Sequence, residues 1–199
     1  MEPGRRERKK VATHDLIIDI AMALFDREGF DEITMERIAA EADVAKATLY
    51  KYFPVKEAIL AGYIRRENTA MVEPISQMLD ALPDSRSRLC ELYSHLADWF
   101  SAHRTYVARY IAFRLSTPQP QGSHAQRSGF DAHLRLLLEK GQQQGDITDA
   151  LPLPQLVASL ELMMLSPILF WLNTEDADLR QLLMAHIDLF LDGAANIKG

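Results

Sequence analysis

Cysteine is almost absent from this chain of 199 residues, where Cys90 stands alone. A single thiol can neither close an internal disulfide nor supply a cysteine-rich zinc site. A reducing compartment is therefore expected, with Cys90 as a small core residue. Enzyme signatures are missing too. There is no glycine-rich phosphate loop, G-x-S-x-G elbow, H-E-x-x-H pair or carboxylate dyad, and Glu57, Glu67 and Glu73 read as solvated charges on helix faces. His95 and His103 share a helical stripe but stand about 12 Å apart along its axis, too far to hold one ion. The expectation is a non-enzymatic protein without cofactor or metal.

Nor is there a long uninterrupted hydrophobic run. Asp15 and Asp19 interrupt the only apolar stretch near the start, so no export signal is expected. The most apolar stretch, Leu156 to Leu172, contains Glu161, Ser166 and Pro167 and is followed by acidic rather than basic residues, which argues against a membrane span. The chain is read as cytoplasmic. An excess of positive charge is also lacking: the formal net charge is -6, which excludes indiscriminate coating of nucleic acid but not a small docking surface. Positive charge is concentrated instead. Residues 1–56 carry ten Lys/Arg against eleven Asp/Glu, and five of the ten are Arg5, Arg6, Arg8, Lys9 and Lys10.

What the chain does contain is helical periodicity. Its 48% hydrophobic composition suffices for a substantial core, and the apolar spacing predicts an all-α fold. Residues 1–12 read as a flexible basic arm, and Thr13 as the N-cap of a first helix that carries Leu16, Ile17, Ile20, Ala21, Leu24 and Phe25 and is closed by Gly29. Thr34 is placed to cap a second helix reaching about Ala42. After a turn at Asp43, Val44 to Tyr52 forms a third. Ile38, Ala39, Ala42, Val44, Leu49 and Phe53 divide to one side of this pair, leaving Ala45, Lys46, Ala47, Tyr50, Lys51 and Tyr52 to the other. A helix-turn-helix requires that division, because the second helix must be held from behind while it presents small and basic groups to a groove. Lys46 suits guanine or phosphate, Ala47 a thymine methyl, Tyr50 and Tyr52 phosphate oxygens, and Lys56 a phosphate by charge.

These segments resemble the DNA-binding region of the tetracycline-repressor (TetR) family. The likeness lies in LFxxxGF at Leu24 to Phe30, ITxxxIA at Ile33 to Ala39, and ATLYKYFPVKEAIL at Ala47 to Leu60, about a quarter of the chain. It implies that Thr34, Lys46, Thr48, Tyr50, Tyr52 and Lys56 contact DNA, flanked by Ala45 and Ala47. Asp43 departs from a frequent Gly, and Ala45 from a frequent Ser. The resemblance also implies an N-terminal three-helix DNA-binding domain, residues 13–56, and a C-terminal helical ligand-binding and dimerisation domain, residues 57–199. Its implied partners are a palindromic double-stranded DNA operator, a second copy paired through the last two long helices, and a small effector that releases the DNA.

Beyond Phe53 a long helix is expected from Pro54 through Met71, with Pro74 as a bend. Further helices are expected from Asp84 or Ser85 to about Ser101, over Tyr106 to Leu115, from about His124 to Gln144, from Pro152 or Pro154 to Leu172, and from about Thr174 to Asp192. Ser116 to Ser123 is the clearest internal loop. Trp99, Tyr106, Tyr110, Phe113, Met163, Met164, Phe170 and Trp171 either line an apolar pocket for a hydrophobic or aromatic effector or fill a core. Arg109 either meets an anionic ligand or is a solvated arginine. A helical adaptor that uses the helix-turn-helix for protein contact is the competing reading.

Overall fold

The first helix starts well before Thr13. In the computed structural model, which describes residues 4–117 and 128–194, α1 spans Arg5–Glu28. Residues 5–12 are thus helical rather than a flexible arm. No proline or glycine follows Gly4 in this run, Glu7 sits favourably in the first turn, and Glu7 and Lys10 pair across it at 3.7 Å. Thr13 caps nothing: its Oγ1 donates back to the Lys9 carbonyl at 2.9 Å. Gly29, at φ 91°, closes the helix as expected, its N–H donating to the Phe25 carbonyl.

Helices α2 (Met35–Glu41), α3 (Lys46–Tyr52), α4 (Lys56–Ala70), α5 (Val72–Asp80), α6 (Ser85–Ala102), α7 (Arg104–Ser116), α8 (Phe130–Gln144), α9 (Leu153–Asn173) and α10 (Leu179–Ala194) follow, and no strand occurs among the described residues. The helix predicted from Pro54 begins two residues later and breaks at Met71, so Pro74 lies in the first turn of α5, where its missing N–H removes no helical bond. Asp178 rather than Thr174 caps α10, accepting from the Gln181 N–H. The expected loop tip and the start at His124 lie outside the described residues.

The chain divides into two compact units. One comprises residues 1–66 and 105–123, the other residues 67–104 and 124–199. These boundaries differ from 13–56 and 57–199, because most of α4 and nearly all of α7 belong with the head. The core of the first unit joins Ile17, Ile18, Leu24, Phe25, Phe30 and Ile38 to Leu49, Phe53, Ile59 and Leu60, with Tyr106 and Tyr110 closing it from α7. Tyr106 donates to Asp26 Oδ1 at 2.6 Å and Arg109 to Asp31 Oδ2 at 2.7 Å. Burial, then the Asp26 bond and charge, raise the Tyr106 phenol above its ordinary range, so it stays a donor.

In the second unit α10 packs on α6 and α9, and α8 packs on α5, α6 and α9. Arg88 is buried at the α5–α6 corner, where it donates to the carbonyls of Leu79 and Leu82 and to Gln144 Oε1. That answers its charge with acceptors, which burial of a guanidinium demands.

Candidate nucleic-acid interface

The helix-turn-helix is built from its caps inward. Thr34 Oγ1 accepts from the Arg37 N–H at 3.2 Å and fixes the start of α2. At the other end the Val44 N–H reaches the Ala39 carbonyl and the Asp43 N–H the Ala40 carbonyl, a Schellman closure. Asp43 occupies its left-handed position at φ 50°, the one non-glycine residue in that region among those described. Asp tolerates this conformation better than most side chains, so the turn forms where glycine is frequent. Ala45 starts α3 without a side-chain cap.

Leu49 and Phe53 are buried behind α3, and Ala45, Lys46, Ala47, Tyr50 and Lys51 are exposed on its outer side, with Thr48 and Tyr52 half-buried at its edge. Glu36 on α2 organises this face: its Oε1 lies 3.7 Å from Lys46 Nζ and accepts from the Tyr50 hydroxyl at 3.4 Å. The carboxylate holds both groups in the free protein and competes with any anion for them.

Lys56 stands apart from the other expected contacts. Its ammonium donates to the carbonyls of Phe30 at 2.7 Å, Ile33 at 3.0 Å and Asp31 at 3.1 Å, and lies 4.8 Å from the centre of the Phe30 ring. All three protons are engaged within the protein. The residue expected to reach phosphate instead fastens the α1–α2 link to α4.

The basic start of the chain, expected as a flexible arm, adds to the interface as a helix. Because α1 extends back to Arg5, its Arg6, Lys9, Lys10 and Thr13 form one wall of a groove of about 660 Å³, with Glu7 also at its edge. Thr48, Lys51 and Tyr52 form the other wall. The signal was the i, i+3, i+4 spacing of Arg6, Lys9, Lys10 and Thr13, which on a helix shares one face.

The residues weighed as effector contacts are split between the units. Tyr106, Arg109, Tyr110 and Phe113 lie in the first, where the tyrosines are core and Arg109 is paired with Asp31. Trp99, Met163, Phe170 and Trp171 lie in the second. Trp99 stacks on His103 at 4.5 Å, and Trp171 is buried beneath the Arg104 guanidinium, which also caps the end of α9 by donating to the carbonyls of Trp171, Leu172 and Thr174. Phe170 is 56% exposed.

Residues 17–63 match the family of bacterial regulatory proteins named tetR. The uncharacterized HTH-type transcriptional regulator YdeS of Bacillus subtilis is 28% identical over 167 residues, 76% of this chain and 75% of that protein. The HTH-type transcriptional repressor KstR of Mycobacterium tuberculosis is 40% identical over 64 residues, which cover 32% of this chain and 27% of KstR. Among solved structures, Thermus thermophilus FadR, a TetR family transcriptional repressor in complex with lauroyl-CoA, matches with a TM-score of 0.78 at 24% identity, covering 94% of this chain and 97% of its own. At that identity the likeness is one of fold. With the capped helix-turn-helix of residues 34–52, these matches make the assignment: residues 17–63 are a DNA-binding head of the tetR family of bacterial regulatory proteins, and the chain that carries it is a transcriptional regulator.

Proposed function

We propose that this chain acts in the cytoplasm as a dimeric repressor, whose two heads read a palindromic operator and let go when a hydrophobic effector binds in the second unit. The observation that carries the DNA half is the exposed face of Lys46, Ala47, Tyr50 and Lys51, continued by the basic wall of Arg6, Lys9 and Lys10. On this reading Lys46 and Ala47 meet base edges or nearby phosphates, while Thr48, Tyr52, Lys51 and the α1 wall hold the backbone. Lys46→Ala and Lys51→Ala should each weaken binding to an operator selected from random duplexes about tenfold and lower the slope of affinity against salt by about one. Anisotropy titrations at several salt concentrations measure both. Unchanged affinity and slope in both variants would remove α3 from the interface.

Support for pairing comes from the second unit. Leu162 on α9 is 70% exposed, Phe170 56%, and Leu189 on α10 61%. Apolar groups this exposed on the two helices expected to pair call for a covering partner, and a second copy supplies one by matching the same face to itself. Leu162→Glu combined with Phe170→Glu is expected to convert a sedimenting dimer into a folded monomer and to abolish tight operator binding, since one head retains only half the contacts. A parent protein that sediments as a well-folded monomer at micromolar concentration would end this reading.

For the effector, FadR of Thermus thermophilus, bound to lauroyl-CoA, suggests an acyl thioester or another molecule that carries an apolar acyl chain. Release requires only that the effector bind the DNA-incompetent arrangement better than the competent one; their difference in affinity sets the response.

A further inference from the structure

Inside the second unit, three polar atoms lack partners. The Tyr93 hydroxyl and both ring nitrogens of His133 are fully enclosed and make no hydrogen bond among the described residues. Tyr93 is 1% exposed and His133 0%. They are neighbours in one place: Tyr93 on α6 and His133 on α8 each set their rings edge-on to Phe130, at 5.6 and 5.8 Å between centroids. The same helices surround them with buried Leu89, Leu92, Leu134 and Leu137. An enclosed polar group without a partner costs about 1–3 kcal/mol, so a well-packed interior that retains three of them together is built for something that arrives later.

We propose that Tyr93 and His133 form the polar anchor of the effector site, taking the neutral carbonyl oxygen of an otherwise apolar acyl molecule. This rests on the effector reading above and specifies what that effector must carry. The chemistry of the pair selects the class. A phenol offers one O–H donor and a neutral imidazole one N–H donor, and a carbonyl oxygen has two lone pairs to receive them. Burial pushes the His133 pKa below its ordinary value, opposed by the Asn68 backbone and by Asp131. The ring is thus neutral near pH 7. Glu161 bears on the Tyr93 hydroxyl, whose pKa burial raises first and that carboxylate further. A carboxylate ligand would lose its hydration and enter against Glu161, whereas an ester or thioester carbonyl avoids that cost.

The test uses the full chain, its operator, and the methyl esters of octanoic, lauric and palmitic acids beside the matching n-alkanes. The parent is expected to bind at least one ester and to release operator with it. Tyr93→Phe and His133→Leu are each expected to weaken that ester about fivefold to tenfold while leaving alkane binding and ester-free operator affinity unchanged. Tyr93→Phe, which removes an unpaired hydroxyl, should also raise the melting temperature of the ligand-free protein. Equal loss for ester and alkane, no loss for either, or a lower ligand-free melting temperature in Tyr93→Phe would overturn the anchor; the last would reveal a water or protein partner already serving the hydroxyl. If other hydrophobic molecules release the operator but esters do not, the anchor fails and the repressor reading stands. If no apolar molecule releases it, both fail.

Discussion

Lys56→Met will lower the stability of the DNA-binding head by about 3 kcal/mol, because it removes three hydrogen bonds from one ammonium and leaves the carbonyls of Phe30, Asp31 and Ile33 to find other donors. Two of those bonds are partly buried, so water replaces them only by opening the α1–α2 link. The consequence for function is indirect. Residues 30–33 set where α2 begins, and α2 carries the turn that aims α3. Operator affinity should therefore fall in proportion to the loss of folded head. A phosphate contact would behave otherwise, losing affinity at constant stability. Amide hydrogen exchange over residues 17–60, with Lys46→Met as the exposed control, separates the two: faster exchange in Lys56→Met alone supports the internal role, and parent-like protection with weakened DNA binding refutes it.

Lys56 also shows where a linear chain conceals its chemistry. A lysine after a turn, one helix beyond the recognition helix, reads as a free cation because its three acceptors lie 23 to 26 residues earlier. The cap at Thr34 and the stop at Gly29 were legible because each is written within one turn of the helix it serves. The inward face of α2 and α3 was legible from periodicity. The true start of α1 was not: Arg5 to Ala12 offers no apolar stripe, and charge alone leaves helix and coil indistinguishable. Its basic residues were legible as a charge run, but not their alignment as one wall of a groove. Tyr93 and His133 were hidden for a different reason. Whether a buried polar group has a partner depends on how α6 and α8 meet, and no local pattern records that.

Gly141→Ala should be as damaging to the second unit as Lys56→Met is to the first, although alanine favours a helix by about 1 kcal/mol over glycine. A Cβ at Gly141 would stand 2.5 Å from Ile147 Cγ1 and closer still to Ser85 Oγ, with Asp146 Oδ1 at 3.0 Å. None of these neighbours is the free end of a long side chain. The Ser85 N–H and hydroxyl both donate to the Asp146 carboxylate, at 2.7 and 2.8 Å, tying the start of α6 to the end of α8. The Gly141 carbonyl meanwhile accepts from the N–H groups of Gly145, Asp146 and Ile147, with Gly145 held at φ 80° to turn the chain back. The methyl must displace either the serine or the isoleucine. Overpacking of about 1–3 kcal/mol, added to the loss of one or both bonds to Asp146, outweighs the helix preference and leaves a net cost of about 3 kcal/mol. Gly193, also helical, has nothing within 4 Å of the same position, so Gly193→Ala should hold or raise stability by up to about 1 kcal/mol. Urea unfolding of the two variants beside the parent reads one substitution with opposite signs. A Gly141→Ala protein as stable as Gly193→Ala would mean that the α6–α8 junction is looser than its hydrogen bonds require.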